Sequence, residues 1–507
     1  MPDSAPIAGV NSSPAGSAHP IILPSVIAIG FTGHRALNDE SRSRIRILEF
    51  LQDFKAKTSK TIYGVSSAAV GGDLVFAESC IQTGIPVRIL LPFSKDQFRE
   101  DFDEPTWKRS EAVMQQAISV EVIGGGQSAQ ESYYDCGIET VQQSQMLVAL
   151  WNGNPARGLG GTAEIVDFAK EQARPLVWIH SVTDDVQFLN KEKLPASDPE
   201  LDFLNGLPER PGTSVAATPL DVTQAWFRKI DFNASHAAPQ LRRLAAIPIL
   251  CTAGAAICTA AFSFAGNSGA LVAIGAGLGL MTSALPAVMR LNSRQIRWTR
   301  IRTAAEICRS VLALWKIPGP YDVIGAESLP DLAGMLASLN FLKLADGADR
   351  RTSLEEFKRS YREERIQNQI EYFSQNASRS DKKARSYKLT VTLSIVLALC
   401  ANLWMLLASY WLKRYFGGNW LTGLAFAGTV CFQMATVAGA LLIVNDWRRR
   451  RERYRELHDL LVVWDKQIAS ARTWPIALRT ATRVERALLA EVIEWRSLIR
   501  NRKLPRK

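Results

Sequence analysis

The chain has 507 residues, with 60 Lys+Arg against 49 Asp+Glu, a formal charge of +11 at pH 7 and a mean hydropathy of -0.02. That length is too great for one hydrophobic core and implies two to four domains. The average conceals segregation: the 46 residues from Leu244 to Met289 carry no Asp, Glu, Lys or Arg, and further uncharged runs cover Leu389–Leu412 and Tyr415–Asn445. Much of the positive excess borders these runs, at Arg242-Arg243, Arg290 to Arg302, Lys382-Lys383-Arg385 and Arg448 to Arg455. This is the positive-inside pattern of membrane spans, which also suits anionic lipid headgroups. A lipid bilayer is therefore the expected partner, and nucleic acid is not.

Residues 1–24 are rich in Pro, Ala and Ser, lack a positively charged start and are broken by Pro20 and Pro24. They read as a disordered leader, not a signal peptide. Cys251, Cys258, Cys400 and Cys431 lie inside the apolar runs, while Cys80, Cys136 and Cys308 are scattered without metal-type spacing. Reduced thiols, a cytoplasmic soluble part and no metal site are expected.

Short apolar runs then recur at Ser25–Gly30, Thr61–Val65, Val87–Leu91, Val120–Ile123, Met146–Trp151 and Leu176–His180. Segments of helical period separate them, near Glu40–Lys57, Gly71–Thr83, Trp107–Gln116, Tyr134–Gln145 and Gly161–Gln172. Buried strands alternating with helices predict a doubly wound parallel α/β sheet, Rossmann-like, over residues 25–181. Ligands of such sheets bind at the carboxyl ends of the strands. Three strand ends here suit an anionic ligand. The first carries Gly30, Thr32, Gly33, His34 and Arg35; the second carries Ser66 and the small-residue turn Gly71-Gly72-Asp73 that opens a helix. The fifth carries Asn152 to Glu164, with Gly160-Gly161-Thr162 at a helix start and Glu164 in its first turn. Together they predict a pocket for a phosphorylated or nucleotide-like ligand, with no cofactor required. No GxGxxG followed by an acidic residue and no GxxxxGK[ST] occurs, which disfavours a dinucleotide dehydrogenase and a P-loop ATPase.

The segments IGFTGHR, VSSAAVGGD, Leu91-Pro92-Phe93 with the following Phe98 and Asp101-Phe102, and MLVALWNGNPARGLGGTAEIVDFA together resemble the SLOG superfamily. These Rossmann-like domains include the LOG phosphoribohydrolases, the DNA-processing protein DprA and the cytosolic sensor of TRPM channels. The resemblance covers about 155 residues and implies binding of a nucleotide or nucleotide-derived signal, with Pro92 joining the ligand-binding set. Enzymatic members place a catalytic Glu at the third position after the Thr of GGxGTxxE. Here that position is Ile165, and Glu164 stands one residue earlier, which turns the carboxylate by about 100° on a helix. The expectation is a binding, sensor-type domain, with Glu164 a weak catalytic candidate in the alternative of a membrane-anchored nucleotide N-glycosidase. Arg35, Arg99 and Arg157 could supply positive charge, but none matches the family's catalytic arginine.

Residues 182–240 read as a linker broken by Gly206-Leu207-Pro208 and Pro211-Gly212. The uncharged block from Leu244 fits two spans of about 20 residues each, turning at Gly266-Asn267-Ser268-Gly269, within a first module at 241–346. A basic amphipathic helix, Asn292–Lys316, follows, with Ile296, Ile301, Ala304 and Cys308 near one face. A second module, 347–507, opens on the capping-box-like Thr352-Ser353-Leu354-Glu355. Its hairpin turns at Gly417-Gly418-Asn419, and a final helical section runs from Arg448 to Asn501. Four spans in two hairpins place both termini in the cytoplasm by the basic flanks.

RIRTAAEICRSVLALWKIPGPY, YREERIQNQIEYFSQNA and VERALLAEVIEWRSLI resemble SLATT domains, two-transmembrane modules attached to nucleotide sensors in bacteria. The resemblance implies a multi-pass protein of the inner (cytoplasmic) membrane that oligomerises and forms a pore or permeabilises the bilayer in antiphage defence. The spans contain no charged residue, which argues against a selective ion pathway. Ala273, Gly275, Gly277 and Gly279 permit close helix packing and suit a homo-oligomer.

Overall fold

The computed structural model describes residues 20–501, apart from 125, 127, 156–159, 184, 210–217, 266–270, 273, 280, 282–290, 318, 325–328, 348–351, 412–418 and 446. The leader up to residue 19, Arg157, Pro211-Gly212, Ala273 and the turns at 266–269 and 417–418 lie outside the described residues. The chain forms two compact units, Met1–Lys229 with Trp315–Arg351, and Ile230–Leu314 with Thr352–Lys507.

In the first unit, continuous apolar stretches with both faces covered make the central strands: β1 (Val26–Gly33), β2 (Thr61–Ser66), β3 (Val87–Leu91) and β5 (Met146–Trp151) are buried almost throughout. They are joined by β4 (Ser119–Val122), β6 (Leu176–His180) and β7 (Val186–Leu189) in a seven-stranded sheet of order β4-β3-β2-β1-β5-β6-β7. The expected α/β sheet is therefore present, and all its pairs are parallel except β6 with β7. Three details differ from the sequence-based expectation. The strand β4 is an edge, with Val120 and Val122 exposed rather than buried. The segment read as the start of a linker supplies the antiparallel edge β7. And β1 continues through Gly33, because its ladder with β5 runs on to the Gly33–Leu150 pair.

The helices of this layer are capped as their sequences suggest. Asp39, Ser94 and Asp103 accept from backbone N–H groups at the starts of α1 (Glu40–Lys57), α3 (Lys95–Arg99) and α4 (Glu104–Gln116), and Ser128 with Glu131 forms a capping box on α5 (Ala129–Gln142). Between them, α2 (Gly72–Gln82) covers one face with α1, stacking Phe76 on Phe31 at 4.6 Å. On the other face α6 (Thr162–Glu171) and α5 enclose Val141, Leu147, Ile165 and Val166. Beyond β7 come α7 (Pro199–Asn205) and α8 (Pro219–Ala265), which starts in the first unit and continues in the second. Residues 20–24 are held to this unit: Leu23 is 1% exposed, and its N–H donates to Asn205 Oδ1 at 3.0 Å.

The second unit is helical. It takes most of α8, α9 (Leu291–Ala313), α11 (Leu354–Tyr361), a π-helical turn (Arg362–Gln367), α12 (Asn368–Trp411), α13 (Asn419–Asn445), α14 (Trp447–Ser470) and α15 (Trp474–Asn501). The helix α10 (Ala333–Ala345) belongs to the first unit, where Phe341 packs on Tyr63. Ile301, Ala304 and Cys308 of α9 are buried, as their spacing predicts. The N-cap of α11 is Ser353, accepting from Glu356, one residue beyond the box read at Thr352. The final section is two helices, broken at 471–473.

Among the described residues two helices are long and apolar enough to cross a membrane, Leu354–Ala408 with its charge-free end and Gly423–Ile443. Their large apolar side chains face outward, with Leu399 64% and Ile443 78% exposed. Small residues face inward. Beside Gly428 a Cβ would meet Asn402 at 3.3 Å, and beside Gly439 it would meet Val391 at 4.0 Å, so α12 and α13 run antiparallel. The first apolar block gives a shorter apolar helix, Ile247–Phe262. Gly275 lies against Cys258 and Gly254 against Leu278, again antiparallel, whereas an added Cβ at Gly277 would meet no described residue within 4 Å.

Candidate functional site

The sheet order fixes where a ligand can enter. From β1 the chain steps outward through β2, β3 and β4, then returns to the other side of β1 at β5. The topological switch point is thus between β1 and β5, and a crevice opens at their carboxyl ends. A cleft of about 300 Å³ lies there, lined by His34 to Asn38 after β1, Trp151, Asn152, Asn154 and Pro155 after β5, Gly161 to Ala163 at the start of α6, and Ser181-Val182 after β6.

Four of the expected site residues line it: His34, Arg35, Gly161 and Thr162. His34 spans the switch point, its Nε2 accepting from the backbone N–H of Asn152 at 3.1 Å, which assigns the ring proton to Nδ1. The α6 start has Gly161 as N-cap with no side-chain cap, so backbone donors of its first turn remain for a ligand and the helix dipole favours an anion. Arg35 lies at the rim, its side chain 54% exposed. Its guanidinium donates to Asp101 at 2.7 Å and to the Tyr133 hydroxyl at 2.6 Å, and stacks over the Tyr133 ring. Partial burial pushes the Asp101 carboxyl up, but the hydrogen bonds from Tyr133 and Arg35 outweigh it and hold that carboxyl below its usual range. Arg35 thus brings a charge already shared with a carboxylate.

The other expected residues are placed elsewhere. Gly30, Thr32 and Gly33 belong to β1 itself, and Gly30 is the close approach to Ser144, whose Oγ would lie 2.6 Å from a Cβ there. Gly71, Gly72 and Asp73 back the β1 loop. The Gly72 N–H donates to the His34 carbonyl at 3.0 Å, and a Cβ at Gly71 (φ 96°) would fall 2.3 Å from the Arg35 carbonyl oxygen. They position His34 and Arg35 rather than line the cleft. Ser66 is buried, its hydroxyl donating to the Asp73 carbonyl at 3.1 Å. Asp73 keeps partial solvent contact, and surrounding protein pushes its carboxyl up to about 7, against the hydrogen bonds from Ser67 and Gly33. Pro92 is buried after β3, on the far side of β2.

Glu164 is a local cap: its Oε2 accepts from Gly160 N–H at 2.5 Å and holds Gly160 at φ 85°. Ile165 points into the core and is 2% exposed. Neither lines the cleft.

The sequence-based set missed Trp151, Ser181 and Val182, and covered Asn152 and Asn154 only as part of the loop from Asn152 to Glu164. The Trp178 indole donates to the Trp151 carbonyl at 2.9 Å, and the Ser181 N–H to the same oxygen at 3.1 Å, which joins the β5 and β6 ends into one wall. Their position one step past adjacent strand ends was the available signal. Among the described residues no group of His, Cys, Asp and Glu could hold a metal ion.

No protein-family model matches the chain, and no curated protein matches it either. The fold and cleft define a Rossmann-like α/β unit, joined in one chain to a helical unit with two helices able to cross a membrane.

Proposed function

We propose that the chain is a membrane-bound sensor-effector of SLOG and SLATT type, whose α/β unit binds a phosphorylated, nucleotide-derived small molecule and whose helical unit responds in the bilayer. The observation that carries this is the cleft at the switch point, where the uncapped start of α6 meets His34, Asn152 and Arg35. Backbone N–H groups at a helix start suit a phosphate, and the indole and asparagines of the β5 loop suit a base or ribose. The ligand's differential affinity for two states of the chain drives the response. On this reading both apolar blocks span the inner membrane as two hairpins, both termini are cytoplasmic, and copies of the chain assemble to permeabilise the bilayer. The antiparallel packing of small residues in both blocks supports the hairpins. The setting this suits is antiphage defence.

The test uses the full chain in dye-loaded vesicles with a panel of adenine and nicotinamide nucleotides. A ligand that binds the protein is expected to release dye, and Thr162→Asp is expected to abolish both effects. That carboxylate favours the α6 start through the dipole while repelling a phosphate from the cleft. Saturable binding with no leakage at any ligand concentration would sink the effector reading. The glycosidase alternative requires base release that Glu164→Ala abolishes; with Glu164 engaged at Gly160, the expected result is no base release from the unaltered chain.

A further inference from the structure

We propose that Lys383, Trp447 and Arg450 form a site for the phosphate of an anionic phospholipid headgroup. The proposal rests on the reading of the apolar segments as membrane spans. The helix α12 is free of charge from Leu389 onward and α13 up to Asn445, so Lys383 stands six residues before one apolar boundary and Trp447 two residues after the other. At a rise of about 1.5 Å per residue these are roughly 9 Å and 3 Å from the hydrocarbon edge, within reach of the headgroup layer.

Lys383 Nζ lies 4.8 Å from the centre of the Trp447 ring, and Arg450 Cζ lies 5.8 Å from the same centre. Two cations share one indole, and among the described residues neither has an ion-pair partner. Among the described residues the carboxylate beside them is already used: Asp381 accepts from Arg451 Nη1 at 2.9 Å and from Arg385. Two donors one helical turn apart, Trp447 Nε1 and Arg451 Nε, are buried without an acceptor. A phosphate oxygen entering beside the flexible Lys383 and Arg450 side chains relieves their repulsion and offers those donors an acceptor.

The rest of the surroundings select a lipid over a free phosphate ester. Leu389 is 59% exposed and Ile443 78% exposed on the apolar side of the boundary, where acyl chains would cover them. An ordinary solvated basic flank needs neither the shared indole nor the orphaned donors.

The full chain is placed in nanodiscs of equal phosphatidylglycerol and phosphatidylcholine, and the lipids it retains are counted by native mass spectrometry. Wild type is expected to retain phosphatidylglycerol preferentially. Lys383→Gln with Arg450→Gln is expected to lower that preference about tenfold, and Lys383→Arg with Arg450→Lys to keep it. The control Arg479→Gln with Arg483→Gln alters exposed positions at the far end of the α14–α15 pair and is expected to leave it unchanged. Equal loss in the control, no loss in the Lys383 and Arg450 variant, or displacement of the lipid by soluble glycerol phosphate overturns the site. Release of wild type from vesicles by alkaline carbonate overturns the membrane reading and the site with it. Retention in vesicles with no lipid preference overturns the site alone.

Discussion

Individual side chains in the α/β unit divide into those that face the cleft and those that build its frame, and chemistry that looks functional often belongs to the frame. Glu164 has the residue type of a catalytic acid, yet it satisfies the N–H of a glycine with positive φ. Asp73 has the position of a ligand contact, yet it is held beside Ser67 with its carboxyl pushed up to about 7 by burial. Because its folded-state pKa lies above that of the unfolded chain, Asp73 contributes stability that is complete below about pH 4 and is lost as pH rises through 7. Asp73→Asn is therefore expected to gain stability relative to wild type between pH 5 and 8, read as the pH dependence of the difference in thermal midpoint. A flat difference would contradict the burial of that carboxyl. The residue types at the first and fifth strand ends were legible in the sequence and supplied His34, Arg35, Gly161 and Thr162. Trp151 and Asn152 were not singled out because an aromatic and an amide after a strand carry no phosphate signature, and Ser181 gains its place only through the Trp151 carbonyl it binds.

At the level of elements, backbone proximity explains what side chains alone do not. The α2 start packs directly on the β1 loop, and Gly71 leaves no room for a methyl group. Gly71→Ala should cost roughly 2–4 kcal/mol and weaken ligand binding together with stability, measurable by denaturation and by titration of the same variant. In the helical unit the π turn at Arg362–Gln367 is tied by two bidentate pairs, Arg365 with Glu485 at 2.7–2.8 Å and Arg362 with Asp465 at 2.8–2.9 Å. Glu485 is fully buried and also accepts from the Tyr361 hydroxyl. Glu485→Ala strands Arg365 and is expected to cost about 3–5 kcal/mol, whereas Arg365→Met with Glu485→Leu is expected to recover most of it. Equal destabilisation by the single and double variants would show that the pair is not what matters there. Neither Gly nor Pro occurs in Arg362–Gln367, so no sequence signal marked the turn. The strand–helix alternation, by contrast, was readable from periodicity; β7 escaped because Val186–Leu189 follows β6 after a tight turn and is half-exposed at an edge.

Across the whole molecule, charge segregation was the most legible property, since uncharged runs and their basic borders need no tertiary information. What it could not supply was side-chain phase, meaning which face of each apolar helix turns outward and which meets its neighbour. The structure assigns Ser394, Ala398, Ala435 and Ala438 to the packed faces and the leucines to the outside. That phase is inherited from far along the chain. Since Leu354–Trp411 is helical throughout, the π turn absorbs one surplus residue upstream of the apolar segment, and the same residues wound as regular α-helix would rotate everything beyond by about 100°. Deleting the exposed Glu364 removes that surplus and is expected to turn the segment α-helical with the small residues of α12 still inward, whereas deleting Glu363 as well is expected to preserve helix content by circular dichroism while bringing the residue after each inward small residue into its place. Cysteines placed at positions 398 and 399 should swap their labelling by a lipid-phase reagent in the double deletion and keep it in the single one. The turn thus holds one codon of slack: it takes up a first deletion and passes a second on as a frame change for the outer surface, altering that surface's identity without altering any residue within it.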